Sequence, residues 1–157
     1  MIRLASAADR ATVEVVVRDA YAVYLDRMDK PPGPMLDDYA ALIGDGAVSV
    51  DEEAGDVRAV IVLLPQADHL LLDNIAVRPD RQGTGLGRRL IAFAEAEARR
   101  LGFVEIRLYT HQTMTENIAL YTRLGFAETG RGRENGYDRV FMTKRLAETR
   151  HNWRCYT

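Results

Sequence analysis

Val77-Arg-Pro-Asp-Arg-Gln-Gly-Thr-Gly-Leu-Gly87 is the stretch that decides the architecture. Upstream of it, His69 to Val77 is apolar on both faces except at Asp73 and Asn74, which predicts a central strand. Pro79 ends that strand. Downstream, Leu86, Leu90, Phe93, Ala94, Ala98 and Leu101 make one stripe at helical spacing, and Gly102 supplies the C-terminal stop. Between strand and helix, Gly83, Gly85 and Gly87 let the backbone turn sharply and come close to a ligand. The first N–H groups of the helix have no partner within it, and its dipole favours an anion at that end. A glycine-rich turn with no ligand is the plain alternative.

Two familiar phosphate motifs are excluded. A P-loop needs Gly-Lys-Ser/Thr, but Gly87 is followed by Arg88-Arg89. A dinucleotide fingerprint needs Gly-x-Gly-x-x-Gly. Counted from Gly83 the last position is Arg88, and counted from Gly85 it is Leu90.

Working outward, Ile2 to Ala5 reads as a first strand. Ser6 or Asp9 caps a helix reaching about Met28, on the spacing of Val13, Val16, Val17, Ala20 and Tyr24. Lys30-Pro-Pro-Gly-Pro34 can be neither helix nor ladder strand. A short helix is expected over Leu36 to Ile43. Ala47 to Glu53 and Val57 to Leu64 are strands about an Ala54-Gly55-Asp56 turn. Val104 to Thr110 is a strand, and Thr113-x-x-Glu116 is a capping-box pattern opening a helix that Gly125 ends. Ala127 to Arg133 and Tyr137 to Lys144 pair about Asn135-Gly136, a strong tight-turn signal. The order β-α-α-β-β-β-α-β-α-β-β predicts an α/β (α+β) fold: a mixed central sheet of about seven strands flanked by four helices. Residues 1–146 form the domain and 147–157 a polar tail.

With 157 residues there is material for one core. A net charge of -2 lacks the basic excess of nucleic-acid or membrane-surface binders. The single cysteine, Cys155, cannot form an intramolecular disulfide. The N-terminal segment has no signal-peptide pattern, and no run approaches the ~20 apolar residues of a membrane span. These features lead to the expectation of a cytoplasmic protein. No cluster has metal-ligand spacing, so no metal is expected.

Leu120-Tyr-Thr-Arg-Leu-Gly-Phe126 adds a second motif. Together with the loop, it resembles the GNAT superfamily of acetyl-CoA-dependent N-acetyltransferases. The superfamily motif Gln/Arg-x-x-Gly-x-Gly/Ala is matched by Gln82, Gly85 and Gly87, and the helix ending Leu-Tyr-x-x-x-Gly-Phe by Leu120 to Phe126. The resemblance spans nearly the whole chain and implies a single-domain GNAT-like fold with acetyl-CoA as cosubstrate. It implies that the backbone of Ile75, Ala76 and Val77 pairs with the pantetheine arm. It implies that Gln82, Gly83, Thr84, Gly85, Leu86, Gly87 and Arg88 hold the pyrophosphate, and that Tyr121 lies near the sulfur. There is one departure. Members often carry Asn seven residues before that tyrosine; here Met114 stands there, and Asn117 lies one helical turn from Tyr121.

Acetyl transfer from a thioester to an amine needs a base for the amine, donors for the oxyanion and an acid for the leaving thiolate. Tyr121 is the acid candidate, with a core tyrosine as its alternative reading. Asp73 is the base candidate, since burial within an apolar run raises a carboxyl pKa. His69 and His111, at strand ends, are the other candidates. Tyr21, Tyr24, Met28, Pro31, Pro32 and Met35 are expected to wall an acceptor site, with Tyr24 and Met35 carried as its substrate residues. Arg131, Arg133 and Asp138 on the last hairpin are candidates for reading a charged acceptor. The acceptor would be a primary amine on a small molecule or a protein, and the resemblance allows a homodimer. A non-catalytic acyl-CoA-binding regulatory module needs the same loop but not Tyr121 as an acid.

Overall fold

The computed structural model describes residues 1–147, so the expected tail lies outside the described residues apart from Ala147. The strands are β1 (Ile2–Leu4), β2 (Val48–Glu53), β3 (Asp56–Pro65), β4 (Leu70–Val77), β5 (Glu105–His111), β6 (Ala127–Glu134) and β7 (Tyr137–Arg145). The α-helices are α1 (Arg10–Tyr21), α2 (Tyr39–Gly44), α3 (Leu86–Arg100) and α4 (Thr115–Arg123). The strands form one sheet in the order β1-β2-β3-β4-β5-β7-β6. Among the described residues only β4 and β5 pair in parallel, and α3 is the crossover between them. The expected seven-stranded mixed sheet with four helices is what forms, and β4 lies at its centre.

Each face of the sheet carries its own core. On one, Leu86, Leu90, Ile91, Ala94 and Ala98 of α3 and Tyr121 of α4 pack on Ile61, Leu72, Ile75, Leu108 and Met142. On the other, Val13, Val16, Val17 and Tyr21 of α1 and Tyr39 and Ile43 of α2 cover Val48, Val50, Val60, Val62 and Ala76. Each fully buried aliphatic side chain contributes about 1.5–3 kcal/mol. The hairpin turns follow their residues. Asn135 and Gly136 have φ of 53° and 79°, the pair of positive values a tight two-residue turn requires.

Three local expectations differ. The first helix does not reach Met28: α1 ends at Tyr21, and Ala22–Arg27 is a 3-10 segment. Three residues per turn stack Tyr21 and Tyr24 on one face, where both are buried. The second helix starts at Tyr39, not Leu36, because the Asp38 carboxylate accepts the Ala41 N–H at 3.1 Å and sets the cap. Gly33–Leu36 is a separate 3-10 turn. The Thr113/Glu116 capping box does not form. Met114 is the cap residue, the Thr113 hydroxyl engages the His111 ring at 2.8 Å, and Glu116 pairs with Arg27 at 2.8 Å.

One irregularity positions the site. Val62 pairs with Asn74 and Leu63 with Leu72, so Asp73 is an extra residue in β4. Leu70 and Leu72 face the α3 side, and strict alternation would send Asn74 there too. The bulge resets the alternation: Ile75 takes the α3 side, and buried Asn74 turns to Tyr21 and Tyr39 of the opposite layer.

Candidate functional site

β4 and β5 pair at only two positions, Leu70 with Ile106 and Leu71 with Arg107. Beyond them β5 stays with β7 out to His111, while β4 stays with β3. The sheet therefore forks, and the Asp73 bulge lies where the two strands part. From there to Val77, β4 has no strand partner on its β5 side among the described residues. Backbone groups on such an edge can pair with an extended ligand.

At the end of the fork lies the glycine loop. Gly83 and Gly85 have φ of 78° and 85°, and Gly85 is the residue from which α3 starts. Among the described residues, the N–H groups of Gly83 through Arg88 have no backbone acceptor, whereas Arg89 already bonds back to Gly85 at 3.1 Å. Successive free donors at a helix start make an anion cradle. Gly87 does something else. A Cβ there would sit 3.3 Å from Leu120 Cδ2, so its lack of a side chain lets α3 and α4 approach. The loop opens on a cavity of about 590 Å³ lined by Ile75, Val77, Gln82, Gly85, Gly87 and Arg88. Arg81 and Arg123 add positive charge to its wall.

On the other side of the fork lies a smaller cavity, about 160 Å³, between the Pro-rich segment, β4, β5 and β7. Asp73, Asp37, Tyr109, His111, Tyr137 and Arg139 face it. Asp73 accepts a bond from the Tyr109 hydroxyl at 3.3 Å. Burial raises its pKa, and the Tyr109 bond and the Arg139 charge only partly offset this. Asp37 is pushed up to about 6, first by burial and then by the negative charge of Asp73. Burial lowers the His111 pKa. The Thr113 N–H donates to its Nδ1 at 3.2 Å, which also favours the neutral ring.

Tyr121 stands between the cavities and lines both, as do Tyr21 and Asn117. It is 7% exposed, on the last full turn of α4, with its ring against Phe126 at 5.7 Å between centroids. Burial, then Tyr24, raise its pKa well above the ordinary phenol value, so it is a neutral donor at neutral pH. Tyr21 and Tyr39 are held differently. Tyr21 donates to Asn74 Oδ1 at 2.7 Å, and Asn74 Nδ2 donates to the Tyr39 hydroxyl at 3.0 Å. Tyr39 in turn donates to the Pro34 carbonyl at 2.5 Å. Those two tyrosines tie α1 and the Pro-rich segment to β4.

The model of the acetyltransferase (GNAT) family matches residues 12–126. The chain belongs to that family. One relative, the IAA acetyltransferase of Azospirillum brasilense, is 32% identical over 67% of this chain and 61% of its own length. The crystal structure of the Escherichia coli ribosomal-protein-S18-alanine N-acetyltransferase superposes with a TM-score of 0.75 at 23% identity, covering 97% of both chains. The Salmonella typhimurium protein yncA, solved with its cofactor acetyl-CoA, superposes with a TM-score of 0.72 at 25% identity over 95% of both. The chain spans less than two thirds of the length of the curated relatives it matches, from 17% to 61% among the first two. Those relatives are named as acetyltransferases, not as regulatory binding modules.

The chain presents a row of free N–H groups, a stretch of β4 edge without a strand neighbour among the described residues, and a cavity that runs from one to the other. Of the expected cofactor residues, Ile75, Val77, Gln82, Gly83, Gly85, Leu86, Gly87, Arg88 and Asn117 line that cavity. Ala76 points instead into the α1-side core, and the Thr84 hydroxyl turns back to the Arg81 carbonyl at 2.5 Å. Among the acceptor candidates, Tyr21 and Met28 reach the small cavity, whereas Tyr24 lines the large one. Met35 packs on the α1-side core and lines neither; nor do Pro31 and Pro32. His69 pairs with Asp68 at 2.7 Å, away from both. Arg131 is tied to Glu128 at 2.6 Å, and Arg133 approaches Asp138 at 3.7 Å.

Asp37, Tyr109 and Arg139 were not singled out from the sequence, nor were Arg81 and Arg123. For Arg139 a signal exists: Val140 and Met142 alternate toward the core, which sends Tyr137 and Arg139 to the opposite face. No helix is long and apolar enough to cross a membrane among the described residues, and no group of three metal-ligating side chains occurs there.

Proposed function

We propose that the protein transfers an acetyl group from acetyl-CoA directly to a primary amine on a small molecule or a protein. The observation that carries this reading is the position of Tyr121, which lines both the loop-side cavity and the charged cavity across the fork. A thioester in the first and an amine in the second would meet beside its hydroxyl.

The residues divide the work as follows. The free N–H groups of Gly83 through Arg88 bind phosphate, with Arg81 and Arg123 adding charge. The β4 edge holds the extended arm. Bound acetyl-CoA supplies the activated acetyl carbon. Asp73, poorly solvated and raised in pKa, takes the proton that the amine must lose as its nitrogen bonds to that carbon. Tyr121, kept neutral by burial, donates to the sulfur as the carbon–sulfur bond breaks. Solvent then reprotonates Tyr121, and Asp73 releases its proton.

Thiol release from acetyl-CoA in the presence of a panel of amines tests this. The expected result for Tyr121→Phe is a fall in kcat of about a hundredfold or more, with the Kd for acetyl-CoA within about twofold. Unchanged kcat would remove Tyr121 from the acid role. Absence of thiol release with every amine, alongside normal acetyl-CoA binding, would instead favour a binding module.

A further inference from the structure

The small cavity carries charges of both signs that the protein leaves unpaired. Asp73 and Asp37 face it from the β4 bulge and from the segment before α2. Among the described residues, neither has a cationic group within ion-pair reach; Asp73 has only the Tyr109 hydroxyl, at 3.3 Å. The Arg139 guanidinium carbon sits over the Tyr109 ring, 4.0 Å from its centroid, and 5.8 Å from that of Tyr137. Its side chain is only 14% exposed. The nearest carboxylate is that of exposed Glu134, a loose approach at 3.9 Å, and no hydrogen bond from the guanidinium forms among the described residues. A guanidinium stacked on an aromatic face keeps its in-plane N–H fork free, the geometry that receives a carboxylate with two hydrogen bonds. Asp73 and Arg139 are thus held near one another by Tyr109 without closing an ion pair.

Resting on the acetyl-transfer reading, we infer that the acceptor is a free amino acid: its ammonium group lies against Asp73 and Asp37, and its carboxylate on Arg139. A zwitterion brings one cation to the two neighbouring carboxylates and one anion to the guanidinium, so neither sign in the cavity is left without an opposite charge. A diamine would place a second cation against Arg139, and an amine with no carboxylate would leave the guanidinium fork unfilled in a poorly solvated wall. The volume, about 160 Å³, suits a small ligand. The remaining wall fits a modest side chain, being built from Met28, Leu72, Met114 and Tyr137.

Three structural constraints keep the pair of subsites in place. His111 is the cross-strand partner of Arg139 and faces the same cavity, and it is kept neutral there. The Pro-rich segment is tied to the β6–β7 hairpin by Lys30 on the Asn135 carbonyl and Tyr137 on the Pro31 carbonyl, both at 2.7 Å. Asn74 anchors the same segment from below through Tyr39 and Pro34.

The test compares each L-amino acid with its decarboxylated amine and its methyl ester, using thiol release from acetyl-CoA and kcat/KM as the readout. For wild type, at least one amino acid is expected to exceed its decarboxylated partner by about tenfold to a hundredfold, the value of a charge-assisted bidentate contact. Arg139→Met should erase that ratio by raising KM, and Arg139→Lys should restore part of it, with the Kd for acetyl-CoA unchanged in both. If decarboxylated amines, diamines or peptides are turned over as well as or better than any amino acid, the amino-acid assignment falls while acetyl transfer stands. If the ratio survives Arg139→Met in a variant that binds acetyl-CoA normally, the carboxylate does not lie on Arg139 and the inference is overturned. If no amine of any class releases thiol, the transfer reading falls and takes the inference with it.

Discussion

Replacing Gly85 and Gly87 by alanine separates two tasks that one residue type performs in the loop. Gly85 has φ of +85°, and a Cβ built there meets no atom within 4 Å. The penalty for Gly85→Ala is therefore backbone strain alone, about 1–2 kcal/mol. If the variant loop keeps its shape, that free energy appears as lost stability, and a chain of this size melts about 2–8 °C lower. If the empty loop relaxes out of the left-handed region, the melt is unchanged and binding must restore the strained shape. Acetyl-CoA affinity then weakens by about 5- to 30-fold. Gly87 has no positive φ, and its Cβ would press on Leu120 Cδ2 at 3.3 Å, on α4. Alanine there gains up to about 1 kcal/mol of helix propensity, and the end of a leucine side chain can give by a few tenths of an ångström. Gly87→Ala should melt within about 4 °C of wild type and bind acetyl-CoA within about threefold. Calorimetric melting and titration with acetyl-CoA measure both quantities on both variants. An unchanged melt together with unchanged affinity in Gly85→Ala would refute the strain argument. Lost binding with a normal melt in Gly87→Ala would show that the ligand, not α4, needs that glycine.

Three further outcomes follow from the charges. Asp37, raised to about 6, binds more protons folded than unfolded between an ordinary carboxylate pKa of about 3.9 and pH 6, so its ionisation lowers stability as pH rises through that window. Asp37→Asn should therefore melt above wild type at pH 8, with the difference gone by about pH 4; a constant difference across that range would be inconsistent with this linkage. Asp73→Asn should cost about a hundredfold or more in kcat/KM at pH 7 and remove the wild-type inflection, which is displaced above the ordinary carboxylate range; an identical pH profile would eliminate Asp73 as the base. Asp51, fully buried, bonds Arg58 at 2.9 Å and lies 3.6 Å from Arg89 on α3. Asp51→Ala leaves the mostly buried Arg58 without that partner and should destabilise by about 3–5 kcal/mol in chemical denaturation; a loss under about 1 kcal/mol would mean that the pair is not what holds this corner.

What the sequence discloses here is local, and what it withholds is relational. The loop and α3 are legible because a glycine spacing and a helical stripe are properties of one segment. The same holds for Gly102 and for the Asn135-Gly136 turn. The substitution of a 3-10 segment for the end of the first helix is not, since Ala22 to Arg27 has ordinary helix-compatible residues and the tightening serves to bury Tyr24 beside Tyr21. Arg139 is hidden for a related reason. On an exposed hairpin it would be an unremarkable surface residue, and what sets it apart is the Tyr109 ring of a neighbouring strand under its guanidinium.

Asp73 shows the distinction most sharply. The sequence marks it as a polar interruption in an apolar strand, and two adjacent polar residues would ordinarily point to opposite faces. A bulge is a mismatch between two strands, and no single run of residues encodes it. Here it lets Asp73 face the small cavity while Asn74 turns to the same layer and holds Tyr21 and Tyr39. Without the extra residue, Asn74 would enter the α3 core with its amide unpaired, at a cost of about 1–3 kcal/mol. The position of the proposed base therefore depends on the bulge, and the bulge is kept in place by the hydrogen bonds that Asn74 makes. Chemistry at Asp73 and packing at Asn74 are two consequences of one inserted residue.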